Sequence, residues 1–141
     1  MNINQIRFQV LLIFGGCVLS QTTQAQVFEI KNASKRYDVK ITTSCTDRSC
    51  DGQANIDLYL KGTVQRFQRF SSAELTMDLD ETDKPSVNVV QLYGEQSALI
   101  FADFNFDGSE DVAIRNGNYG AYGGPTYDVY ASFIEPRINL F

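Results

Sequence analysis

Four side chains that carry oxygen, Asp103, Asn105, Asp107 and Asp111, fall at positions 1, 3, 5 and 9 of one short segment, and Gly108 sits at position 6. Calcium takes roughly six to eight hard oxygen ligands on a flexible loop, and this spacing brings such oxygens toward one point. The backbone carbonyl of Ser109 completes the expected ligand set, and glycine suits the sharp turn at position 6. Carboxylates this close repel one another unless a cation balances them. The other reading of the same residues is an Asp/Asn-rich β-turn that holds no ion. The loop is not an EF-hand, because position 12 is Ile114 instead of a bidentate glutamate and the flanks read as strands. Phe104 and Phe106 alternate with the expected ligands and are expected to pack into the core.

A second segment follows directly. Asn116-Gly117-Asn118-Tyr119-Gly120-Ala121-Tyr122-Gly123-Gly124-Pro125 is too rich in glycine to be a strand. It is no phosphate cradle either, since neither a Lys-Ser/Thr pair nor a helix follows. Two readings stay open. Tyr119 and Tyr122 project outward as binding residues, a role tyrosine fills well with its large area and single polar tip. Alternatively the loop folds over the calcium site and buries both rings. In the first reading the metal site is expected to stiffen the loop.

Three cysteines occur: Cys17, Cys45 and Cys50. The spacing of Cys45 and Cys50 predicts a disulfide in an oxidising compartment, closing a small loop. The spacing is not C-x-x-C, and no second cluster supplies further metal ligands. The chain contains no histidine, so no Ser-His-Asp or Cys-His arrangement and no His-ligated zinc is possible. The expected catalytic set is empty.

These segments need a scaffold. The 141 residues are 43% hydrophobic and 21% charged, which suits one globular domain. Lysine plus arginine total 12 against 17 acidic residues, so the net charge of −5 argues against a nucleic-acid partner. Tyr37, Val39, Ile41, Thr43 and Cys45 alternate with more polar residues, as do Ile56, Leu58 and Leu60, and Leu75, Met77 and Leu79. That period of two predicts half-buried strands. Val64 to Phe70 reads as a bulged strand or a short helical turn, and Asp78 to Lys84 as an exposed loop. Val87 to Tyr93, Ala98 to Phe104, Val112 to Ile114 and Thr126 to Phe133 read as further strands. The expected fold is mainly β, an antiparallel sheet or sandwich with a calcium-binding hairpin loop.

Residues 1–25 read as a secretory signal peptide. Arg7 precedes an apolar run from Phe8 to Leu19, and Thr23 and Ala25 are small residues before a cut at Gln26. A single β-rich domain over residues 26–141 is expected. Phe14-Gly15-Gly16-Cys17 loosely matches a lipobox, so the chain touches a membrane only if it is lipidated at Cys17.

The stretch from Asp103 to Tyr130 resembles a family of small bacterial periplasmic proteins. It contains D-x-N-x-D-G-x-x-D and then V-A-I-R-N-G-N-Y-G-A-Y-G-G-P-T-Y-D-V-Y. The loop is similar in form to the calcium loops of FG-GAP repeats. Members of the family are associated with antibacterial type IV secretion systems, as immunity proteins against lysozyme-like peptidoglycan hydrolases. The resemblance implies calcium at Asp103, Asn105, Asp107 and Asp111, and a tyrosine-glycine loop that faces the partner enzyme. It implies a periplasmic location. Similar proteins continue past Y-D-V-Y into another turn and strand, whereas here Ala131 to Phe141 follows, so a shortened C-terminal end with an exposed sheet edge is expected.

The expected function is therefore non-catalytic inhibition of a peptidoglycan hydrolase. A calcium-stabilised adhesion or scaffold module is the alternative, and a calcium-dependent hydrolase a further one.

Overall fold

The computed structural model describes residues 24–91 and 94–132. Two antiparallel sheets pack into a β-sandwich. The first runs β1 (Ala25–Ile30), β2 (Tyr37–Thr46), β3 (Ser49–Leu60) and β4 (Arg66–Asp78) in sequence order. The second runs β5 (Leu99–Ala102), β6 (Asp111–Arg115) and β7 (Tyr127–Tyr130), also in sequence order.

The alternation seen in the sequence sets the inner face. Tyr37, Val39, Ile41 and Thr43 of β2 are buried, as are Ile56 and Leu58 of β3 and Leu75 and Met77 of β4. Leu99 and Phe101 of β5 and Val112 and Ile114 of β6 meet them from the second sheet. Each Ile or Leu fully withdrawn from water contributes roughly 1.5–3 kcal/mol, and Ile41, Ile56, Leu75, Leu99 and Ile114 are of that kind. Aromatic pairs join the layers: Tyr37 stacks on Phe101 and Phe70 lies against Tyr130, with ring centroids 6.1 and 4.4 Å apart.

Strands β2 and β3 meet at a two-residue turn, Asp47-Arg48, flanked by the pair Thr46 and Ser49. Both turn residues have positive φ, 50° and 67°, the geometry that follows strand twist most closely. The neighbouring pair is Cys45 and Cys50, and their disulfide closes the hairpin as expected. On the outer face Asp57 is 3% exposed beneath long basic side chains, and Arg69 grips it with two bonds of 2.6 and 2.7 Å.

Strand β4 carries two irregularities. Gly52 pairs with Leu75 and Ala54 with Ser72, so Ala73 and Glu74 stand opposite Gln53 alone. Further along, Leu58 pairs with Gln68 and Tyr59 with Arg66, which leaves Phe67 as the extra residue. The segment from Val64 to Phe70 thus belongs to a bulged strand from Arg66 onward.

Several expectations need correction. Val87 to Tyr93 is not a strand in its described part, residues 87–91. Asn88 has φ 61°, which bends the chain out of the extended region. Its side chain then ties three segments together, accepting from Phe101 N at 2.6 Å and donating to the Ala33 carbonyl at 3.0 Å. Strand β1 was not expected; Phe28 and Ile30 pack against the core and Gln26 to Ile30 pair with Thr43 to Val39. Of the export signal expected over residues 1–25, residues 1–23 lie outside the described residues, as do Cys17 and the tail from Phe133, while Ala25 opens β1 opposite Ser44. Among the described residues no helix is long and apolar enough to cross a membrane.

Candidate functional site

The segment from Asp103 to Glu110 connects β5 to β6. Its acidic side chains fold back onto their own backbone. Asp103 accepts from Asp107 N at 3.1 Å and from Gly108 N at 2.9 Å. Asn105 Oδ1 accepts from the same Asp107 N at 3.0 Å, and Asn105 Nδ2 donates to Asp107 Oδ2 at 2.9 Å. Asp107 Oδ1 accepts from Ser109 N at 2.7 Å. These bonds hold the Asp107 carboxyl below its ordinary pKa, the Ser109 amide contributing most and Asn105 next. Gly108, at φ 85°, makes the turn that position 6 requires.

Asp111 is the buried member, at 1% exposure. Its two oxygens accept from Phe104 N at 3.0 Å and from Ser132 N at 2.8 Å, so it ties the loop's start to the end of β7. Among the described residues no lysine or arginine pairs with Asp103, Asp107 or Asp111. A buried carboxylate without a cation is costly. Ser109 is 5% exposed and its hydroxyl has no hydrogen-bond partner.

Asp103, Asn105 and Asp107 therefore come together, and Asp111 reaches the loop through the Phe104 amide. Among the described residues no three acidic or cysteine side chains stand close enough to hold a metal. The donors fit calcium in kind. All are hard oxygens, and a carboxylate oxygen that accepts one N–H retains a second lone pair. Phe104 and Phe106 correct the expectation of core packing, being 40% and 91% exposed. Phe106 adopts φ 62°, so the loop leaves the strand pleat and points these rings at solvent.

The tyrosine-glycine segment connects β6 to β7, with a 3-10 turn at Ala121–Gly123. Tyr119 is 73% exposed and Tyr122 fully so, which rejects the reading with both rings in the core. The two tyrosines differ. The Tyr119 ring lies over Gly117, where an added Cβ would collide with it, and its hydroxyl donates to Glu74 Oε2. That bond raises the Tyr119 pKa. Tyr122 projects alone, at φ 57°, from a loop closed by Gly120 N to the Gly124 carbonyl at 2.9 Å.

The expectation that the metal loop supports the tyrosine loop meets a geometric obstacle. One loop enters β6 and the other leaves it, so they sit at opposite ends of that strand. Its five residues span about 16 Å. The tyrosine loop leans instead on β4 through Asn116 and Glu74. Neither residue stands out in the sequence: Asn116 is one polar residue among several in the glycine-rich run, and nothing local marks Glu74.

No protein family, curated protein or solved structure matches the chain.

Proposed function

We propose that this chain is an exported, non-catalytic inhibitor of a peptidoglycan hydrolase, an immunity protein against a lysozyme-like effector in the bacterial periplasm. The observation that carries the reading is Tyr122, a large aromatic side chain wholly in solvent on a loop braced by hydrogen bonds. A braced loop loses little ordering entropy on binding, and exposed tyrosine is favoured at interface hot spots. The acidic balance suits a basic enzyme, because opposite charge speeds encounter. Asp103, Asn105, Asp107, Asp111 and the Ser109 carbonyl would hold calcium, which would supply the positive charge that buried Asp111 lacks.

The test is titration of the cognate hydrolase on peptidoglycan with wild type, Tyr122→Ala and the double Tyr119→Ala, Tyr122→Ala variant. Loss of Tyr122 is expected to cost about 2 kcal/mol of affinity, the scale of a hot spot. Equal inhibition by all three moves the binding surface elsewhere. Absence of inhibition by wild type favours the calcium-stabilised module instead, and lysis by the protein alone makes it an enzyme.

A further inference from the structure

A bulge in an antiparallel strand leaves backbone groups without ladder partners. In β4 these belong to Ala73 and Glu74, which face only Gln53 across the ladder. The chain fills them from the far sheet. Asn116 Oδ1 accepts from Ala73 N at 3.2 Å and from Glu74 N at 3.1 Å, while Gly117 N donates to the Glu74 carbonyl at 2.8 Å. Ser72 Oγ donates to the Arg115 carbonyl at 2.8 Å beside them.

The remaining groups of Asn116 close the loop itself. Its N–H donates to the Thr126 carbonyl at 2.9 Å, its carbonyl accepts from Thr126 Oγ1 at 2.7 Å, and its Nδ2 donates to Asp128 Oδ2 at 2.7 Å. The backbone N–H and C=O and both side-chain polar atoms of this one residue are engaged. They join the bulge, the base of the tyrosine loop and the start of β7.

We propose that Asn116 is the positioning residue of the tyrosine loop, clamping it to the β4 bulge, and that the calcium loop plays no part in setting its geometry. The functional half rests on the inhibitor reading above; the structural half does not. Glu74 gains a second role here. Its backbone joins the clamp while its carboxylate holds Tyr119 over Gly117, so Tyr122 is left as the projecting group.

The experiment compares wild type, Asn116→Ala, and the exchange of Asn116→Asp with Asp128→Asn. The exchange keeps an acceptor for the bulge amides, a donor–acceptor pair across the loop and the net charge. Amide hydrogen exchange is read residue by residue, and hydrolase inhibition in parallel. Asn116→Ala is expected to speed exchange at Gly117 and Thr126 while Ile41 and Ile56 keep their protection, and to weaken inhibition about tenfold or more. The exchange variant restores both. Chelation of calcium leaves Gly117 and Thr126 protected and inhibition within about threefold, below ordinary allosteric coupling.

Unchanged exchange at Gly117 and Thr126 in Asn116→Ala overturns the clamp. So does faster exchange on chelation alone at these two amides. Faster exchange without weaker inhibition overturns the positioning role. A wild type that inhibits no hydrolase defeats the inhibitor reading, and the exchange data still decide whether the clamp exists.

Discussion

Replacing Asp111 with asparagine separates the hydrogen bonds of the acidic loop from the calcium proposed there. The carboxylate is buried and accepts two backbone N–H groups, Phe104 at 3.0 Å and Ser132 at 2.8 Å. Hydrogen bonds to a charged acceptor contribute roughly 1.5–3 kcal/mol each. Asparagine keeps one acceptor and aims its own N–H₂ at the other donor. One bond weakens and one becomes a donor facing a donor, so in chelator the loss is about 3 kcal/mol. That is a large part of the roughly 5–15 kcal/mol that holds a domain together. The proposed calcium would add a second term for wild type alone, about 2.7 kcal/mol at one hundred times its dissociation constant. Urea denaturation in chelator and in millimolar calcium measures both. The gap between wild type and Asp111→Asn is expected to widen from about 3 to between about 5 and 6 kcal/mol. A gap under about 1 kcal/mol in chelator refutes the hydrogen-bond reasoning. A gap that calcium leaves unchanged removes Asp111 from the ligand set.

Other outcomes follow from the same structure. Asp57 has its pKa lowered, first by the bond from Arg69, so its stabilisation is present above the unfolded carboxyl value of about 3.9 and lost as pH falls through the lower folded value. Asp57→Asn is expected to cost about 1–2 kcal/mol at neutral pH, since Arg69 is half exposed and regains water, and to flatten the acid limb of a stability–pH curve. Serine at both Cys45 and Cys50 is expected to lower stability by about 2 kcal/mol in denaturant, with reduction of wild type giving the same shift. Tyr119→Phe cuts the link to Glu74 without removing the ring, so phenolate titration by ultraviolet absorbance is expected to lose one alkaline-shifted tyrosine and to keep Tyr127, which burial raises.

Strands β2 and β3 were legible because their inner residues obey a period of two against one buried face, Val39 and Ile41 opposite Leu58 and Ile56. The disulfide was legible because cross-strand neighbours beside a two-residue turn must be close in sequence. What failed depended on single backbone angles. Asn88 at φ 61° breaks an apolar run that reads as a strand, and Phe106 at φ 62° turns out a ring that alternation assigns to the core. Tertiary context overrides propensity at such points. The Asn116 clamp lay beyond local reading for a different reason. Its partners in β4 are more than forty residues away, and the bulge that frees their amides exists only once β3 and β4 are in register.

The placement of the two loops limits what the proposed calcium could do. Coupling between distant sites needs an element with two discrete arrangements that both sites can bias. Strand β6 joins the loops, and Asp111 through Ile114 are buried within it. It pairs on both sides, with β5 and with β7, and a strand held this way has one register. Sliding it by one residue would turn Val112 and Ile114 away from the core. A metal bound at the Asp103 end would therefore act on the stability of the folded sheet, through mass action on the folded state. The shape of the surface around Tyr122 is set at the other end, by Asn116 and the β4 bulge. On the proposed reading calcium would govern stability, and recognition would depend on a hydrogen-bonded clamp that a chelator does not reach.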